Sequence, residues 1–300
     1  MSSLRITQNS MNRTQMAGLN TSLGRLQQTQ EQLTTGKRLN RPSDDPVGTV
    51  SALRFRSEQS QLAQFGRNIA DGLDRLGMAD NTLTQTNNMT QRIRVQTVAA
   101  LNGTNGPDQL KAYAAEIREL RAGLLQQANS SYAGVSLFGG TSSNDVAFHT
   151  TTGSFLGNDD PVMRTISEAA DEAGQLNVGV SGQEAFGSAL EADTGALDAL
   201  ATAIENGDLD GMRAGLEAVD NLRDNILNVQ ATVGARVNRL QGLVELNGRQ
   251  DDASKIALSK VEDTDFQQAA MDLGVQSASY QAALAASAKV IQPSLMDFLR

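Results

Sequence analysis

The sequence has no cysteine, which excludes disulfides, thiolate metal sites and cysteine nucleophiles. A single histidine, His149, excludes most imidazole-based metal sites and leaves one candidate for a histidine-dependent triad. There is no tryptophan and only 4% of residues are aromatic, a mix that suits long helices with thin apolar seams better than a bulky globular enzyme core. Residues 1–15 lack the apolar centre of a signal peptide and no apolar run approaches membrane-spanning length, so any export is expected to need no cleaved signal. Excess positive charge is also missing. The net charge is −9, which argues against sequence-independent nucleic-acid binding.

What the chain does have is length, 39% hydrophobic content and long polar helices with thin apolar seams. Its acid is unevenly placed. Residues 139–215 hold 13 carboxylates against Arg164 and Arg213, a net −11, so the remainder carries +2. Met16, Leu19, Leu23, Leu26 and Leu33 fall at coiled-coil spacing. A second pattern places Leu62, Ile69, Leu76, Leu83, Thr90 and Thr97 at strict intervals of seven, on a helix expected from residue 46 to 101. Such a helix would be about 80 Å long. Turn chemistry at 102–110 precedes a helix with Ile117, Leu120 and Leu124, expected to end near Tyr132.

From Gly139 to Glu191 glycine, threonine, serine and aspartate dominate, and short strands and turns are expected. Helical spacing returns near Leu197, breaks at 206–210, and resumes with Val219, Ile226, Val233, Leu240 and Asn247 seven apart. A polar interruption is expected at 247–255. The last series interleaves Phe266, Leu273 and Tyr280 with Leu284 and Ile291 before Pro293. The expected fold is therefore mainly α: an elongated antiparallel helical rod with terminal coiled-coil helices and a small β-rich domain inserted at the tip. Residues 1–45 and 255–300 form the terminal assembly domain, 46–138 and 192–254 the rod, and 139–191 the insert. The terminal seams are too thin to offset the backbone entropy of ordering them, so the ends are expected to order against other copies.

Three stretches invite chemical readings. Residues 35–48, TGKRLNRPSDDPVG, run cations Lys37, Arg38 and Arg41 into Asp44 and Asp45. A phosphate-binding loop would need glycine where Glu31 stands and serine or threonine where Arg38 stands, and adjacent carboxylates without recurring oxygen ligands do not form a calcium loop. Helix punctuation accounts for them better, with Gly36 as a left-handed stop and Asp45 capping a helix that opens at Pro46. His149 has no nucleophile motif beside it. Gln91, Arg92 and Arg94 place cations beside a helix seam, either as a solvated face or as a lateral contact to another subunit.

Four stretches carry a family resemblance: LTTGKRLNRPSDDPVG at 33–48, GVSLFGGT at 134–141, VGARVNRLQ at 233–241 and AALAASAKVIQPSLMDFL at 282–299. Together they resemble the bacterial flagellin superfamily, and FGGT is similar to its hook-filament junction branch rather than to ordinary flagellins. The resemblance implies a non-enzymatic structural protein of the extracellular flagellum, exported unfolded by the flagellar type III apparatus, with no cofactor or metal and no nucleic-acid or membrane partner. It implies assembly with other copies, with the adjacent hook-associated junction protein and with flagellin, through the seam Met16, Leu19, Leu23, Leu26 and Leu33. A cytoplasmic export chaperone would hold the C-terminal seam of Phe266, Leu273, Tyr280, Leu284 and Ile291. Gly36, Lys37, Arg38, Asn40, Arg41, Asp44 and Asp45 would form a corner touching neighbouring subunits, as would Gln91, Arg92 and Arg94. A filament subunit, or a secreted effector with flagellin-like export ends, are the competing readings.

Overall fold

A computed structural model describes residues 8–168 and 174–291. The motif at 292–299 and two of the acids, Asp171 and Glu172, lie outside the described residues. The helices are α1 (Gln8–Thr35), α2 (Pro46–Ala100), α3 (Pro107–Ala128), α4 (Gly182–Phe186), α5 (Ala196–Asn206), α6 (Leu209–Glu262) and α7 (Phe266–Ile291). Short strands β1 (Ser131–Tyr132) and β2 (Val135–Ser136) pair antiparallel, as do β3 (Met163–Thr165) and β4 (Gln175–Asn177). The chain divides into two compact units, Met1–Ser60 with Asp251–Arg300, and Gln61–Gln250. This grouping puts the first turns of α2 with the terminal helices and keeps residues 139–191 with the helices around them.

In the Gln61–Gln250 unit all six seven-spaced residues of α2 are buried, Thr90 and Thr97 included. Threonine is tolerated there because each hydroxyl is satisfied within its own helix: Thr86 donates to the Thr82 carbonyl, Thr90 to Thr86 and Thr97 to Ile93 at 2.8–2.9 Å. Val219, Ile226, Val233 and Leu240 of α6 join the same apolar cluster. So do Leu197, Leu200 and Ile204 of α5, which packs on α3. Segment 139–191 is not a separate core. Phe138, Phe148 and Phe186 are fully buried, with Phe186 edge-on to the other two at 5.4 and 5.5 Å, and all three belong to this cluster. The FGGT stretch has a steric basis, since Gly140 has φ 65° and a Cβ there would overlap the Asn158 carbonyl. Arg236 of VGARVNRLQ donates to the Gly179 carbonyl at 2.6 Å.

Two expectations are corrected. Helix α6 does not break at 247–255 but runs on to Glu262. Asn247 and Ser254 occupy the inward positions that continue the Leu240 series, and they hydrogen-bond the Leu62 and Phe55 carbonyls at 3.1 and 3.4 Å. A polar side chain that can donate to a facing backbone keeps the helix going where an apolar one was missing. Helix α3 stops at Ala128 rather than Tyr132, because residues 131–136 form a hairpin whose two turn residues, Ala133 and Gly134, have φ of 51° and 81°. Positive φ at both positions suits a tight two-residue turn.

Candidate assembly surfaces

The unit of Met1–Ser60 and Asp251–Arg300 brings α1 and α7 together as an antiparallel pair. Thr29 is buried in it and donates to Gln276 Oε1 at 2.9 Å. The apolar seam around that hydrogen bond is only half covered. Leu19, Leu23, Leu26 and Leu33 are partly exposed, as are Leu273 and Tyr280, while Met16 and Phe266 are 58% exposed and Leu284 is 44%. Ile291 closes α7. The buried hydrophobic residues described in this unit are Ala52 and Ala269. Further large apolar side chains face water: Val47, Val50 and Leu53 on one ridge of α2, Ile256 on α6, and Met271 and Val275 on α7. A helix pair that leaves this much apolar surface uncovered is stable on its own only marginally and gains strongly from a further partner.

Beyond the pair lies the corner at residues 35–48. Gly36 has φ 71°, its N–H closes the last turn of α1 on Gln32 at 2.9 Å, and the Phe266 ring packs against it. The chain then makes a short antiparallel bridge, Lys37 with Asp263, in which Arg38 N–H donates to the Glu262 carbonyl at 2.7 Å and Thr264 N–H to Gly36 at 3.0 Å. Lys37 and Arg56 both converge on Glu262 Oε1, whose side chain is only 4% exposed. Arg38 reaches Asp45 at 3.3 Å and the Val261 carbonyl at 2.8 Å. Arg41 pairs with Glu31 at 3.1 Å, and its N–H donates to Asp44 at 2.9 Å. Asn40 donates to the Lys37 carbonyl at 2.9 Å.

Asp45 opens α2 by accepting the Gly48 N–H at 2.8 Å. That backbone donor, with Arg38 beside it, holds the Asp45 carboxyl below the ordinary aspartate range. The charges of residues 37–45 are thus used within their own chain, tying the end of α1, the start of α2 and the end of α6 into one brace. The cations remain reachable from outside, because the Lys37 and Arg41 side chains are 47% and 68% exposed.

In the other unit, Gln91 and Arg92 are exposed on α2. Arg92 pairs with Glu116 of α3 at 3.4 Å and Arg94 with Asp220 of α6 at 2.7 Å, so both cations bind helices of their own unit. His149 is exposed, and its Nδ1 accepts N–H bonds from Thr151 and Thr152 at 3.3 and 3.2 Å. That is a local turn, with the imidazole acting as acceptor rather than poised on a nucleophile. Sequence reasoning missed Glu262, whose burial depends on two cations more than 200 residues away. It also passed over the Val47, Val50 and Leu53 ridge, which the three-residue spacing could have revealed.

Residues 6–143 match the family model described as the bacterial flagellin N-terminal helical region. The flagellar hook-associated protein 3 of Salmonella typhimurium is 25% identical over 305 residues, covering 93% of this chain and 94% of that protein. A flagellin of Listeria innocua is 29% identical over 240 residues, covering 80% of this chain and 79% of that protein. Among solved structures, Bacillus cereus FlgL superposes with a TM-score of 0.58 at 22% identity, over 69% of this chain and 99% of that one. This last likeness speaks for the fold.

Proposed function

We infer that this chain, a flagellin-like protein, is a structural subunit of the bacterial flagellum and forms the junction layer between hook and flagellin filament. The observation that carries the reading is the half-covered seam of α1 and α7, which leaves apolar side chains exposed and which, in this reading, other copies cover. The near end-to-end similarity to a hook-associated protein 3, at 93% and 94% coverage, favours a junction subunit over a filament subunit. The aligned flagellin spans a smaller share, 80% and 79%.

In this reading Met16, Leu19, Leu23, Leu26 and Leu33 pack against neighbouring copies once the layer forms. Residues Phe266, Leu273, Tyr280, Leu284 and Ile291 serve twice, first under a cytoplasmic export chaperone and then in the assembled layer. Low intrinsic stability of this unit suits export in an unfolded form. The partners are further copies, a second hook-associated junction protein on one side and flagellin on the other. Corner residues from Gly36 to Asp45 hold the terminal pair at a fixed angle to the first turns of α2 and present Lys37 and Arg41 to a neighbour. Gln91, Arg92 and Arg94 lie along a second lateral contact. The role is mechanical, and the local turn at His149 supplies no catalytic arrangement.

Deleting the gene in its host tests the proposal. Intact hooks, missing filaments and flagellin shed into the medium are expected. Normal filaments would refute it.

A further inference from the structure

Within the unit of Met1–Ser60 and Asp251–Arg300, a groove of about 380 Å³ opens beside the corner. Its walls include Leu39, Pro42 and Leu53, the last 58% exposed, and its rim carries Lys37, Arg41 and Arg56. Glu262 neutralises part of that charge by pairing with Lys37 and Arg56, and Glu31 pairs with Arg41, whose side chain still stays 68% exposed and open to a second carboxylate. An apolar slot with a cationic rim fits an apolar peptide that carries a carboxylate between its large side chains.

One segment outside the described residues has that composition. Residues 292–300, QPSLMDFLR, set Asp297 between Leu295 and Met296 on one side and Phe298 and Leu299 on the other. Residues 1–7, MSSLRIT, hold Arg5 and no acid, and residues 169–173 hold no large apolar side chain. Neither offers the same match.

The segment that fits cannot come from the chain that owns the groove. Helix α7 begins at Phe266, against Gly36 at the edge of the corner, and runs alongside α1 away from it, as the Thr29 to Gln276 hydrogen bond fixes. Its 26 residues carry the chain about 39 Å from the groove. Eight further residues, fully extended, recover at most about 28 Å. The donor is therefore another molecule. We propose that the groove receives residues 294–299 of a second copy, with Leu295 and Phe298 against Leu39 and Leu53 and Asp297 against Arg41. The contact is heterologous, each copy offering its segment to the next, so it propagates head to tail rather than closing as a dimer. It rests on the reading above that this unit is where copies assemble, and it names which segment meets which surface.

Because the native chain has no cysteine, introduced thiols report a single contact. Full-length Leu53→Cys and full-length Phe298→Cys proteins are mixed at high concentration and oxidised, and the mixed disulfide dimer is measured beside sedimentation of the same sample. A yield about tenfold above that of a mixture using Glu58→Cys, exposed on the same helix but turned about 140° away from Leu53, is expected. Arg41→Glu in the Leu53→Cys partner should lower the yield by about the same factor, and Asp297→Arg in the other partner should restore it. A dilute Leu53→Cys, Phe298→Cys double variant should form no intrachain disulfide. Yields equal to the Glu58→Cys control, indifference to Arg41→Glu, or an intrachain bond in the dilute monomer would each overturn the inference. If the copies associate in sedimentation without forming the disulfide, the inference fails and the assembly reading stands; if they never associate, both fall.

Discussion

The two units of this chain are written in the same helical code, yet they bury very different amounts of apolar side chain. Gln61–Gln250 gathers its seven-spaced residues, the α5 leucines and three phenylalanines into one apolar cluster. Met1–Ser60 with Asp251–Arg300 buries Ala52 and Ala269 and leaves Phe266, Met271 and Val275 each at least 58% exposed. Seam periodicity alone does not distinguish them. The difference is the covering layer: in the first unit α3, α5 and the segments around Phe148 and Val178 close over the seam, whereas among the described residues α1 packs mainly on α7. A thin seam with one partner is only marginally stable by itself.

The sharpest way to break this comparison is to truncate one large apolar residue in each unit. Phe148→Ala should cost the Gln61–Gln250 unit about 3–5 kcal/mol in chemical denaturation, with self-association following that unit's stability. Leu23→Ala, already half in water, should cost the isolated chain less than about 1 kcal/mol while strongly reducing self-association. Comparable losses of monomer stability from the two substitutions would mean that the terminal pair is a self-sufficient fold.

Much of the fold was legible because the signals are local and periodic. The α2 boundaries fall within one residue of the expected 46 and 101, since Pro46 and the Asn102 turn punctuate them directly. The seven-residue series names the buried face even where it runs through Thr90 and Thr97. What could not be read was anything settled by a distant partner. The inward donors Asn247 and Ser254 looked like a break because their acceptors are carbonyls of α2. Residues 139–191 were expected as a small β-rich inserted domain, and composition does not reveal that Phe148 and Phe186 join an apolar cluster shared with the helices. The corner residues were picked out correctly as helix punctuation at Gly36 and Asp45, but their ion-pair partners Glu262 and Glu31 lie on helices that only the fold brings near.

A second test is spatial. Amide exchange of the dilute chain should show α1 and α7 losing protection well before α3 and α5, because local opening there exposes few buried contacts. Uniform protection across Gln8–Thr35 and Ala196–Asn206 would contradict the contrast. Within the weaker unit, Glu262→Gln should stand out. It removes the buried negative charge that Lys37 and Arg56 share while leaving a neutral amide oxygen in its place, at a cost of about 1–3 kcal/mol because those cations are half exposed and can rehydrate. The loss should be read as faster exchange across residues 36–60 and 251–265, with the Gln61–Gln250 unit unchanged.

The smallest effect concerns Asp45, and its value lies in its sign. Its carboxyl is held below the ordinary range mainly by the Gly48 N–H, with Arg38 contributing. A depressed folded value means that ionised Asp45 stabilises the start of α2 at any pH above its unfolded value, and that this is lost as the pH falls through the lowered folded value. Neutral solution should therefore show the full benefit, and acidification should fray residues 45–49 first. Asp45→Asn keeps an acceptor for Gly48 but no charge, so its α2 start should respond less to pH over that acid window. Added salt should weaken only the Arg38 share, since the backbone hydrogen bond is short-ranged and local. Backbone amide shifts of Gly48 and Thr49, followed by NMR through an acid titration of both proteins, separate the two contributions. A Gly48 shift that titrates identically in wild type and Asp45→Asn would remove Asp45 from the brace and leave Arg38 anchored by the Val261 carbonyl alone.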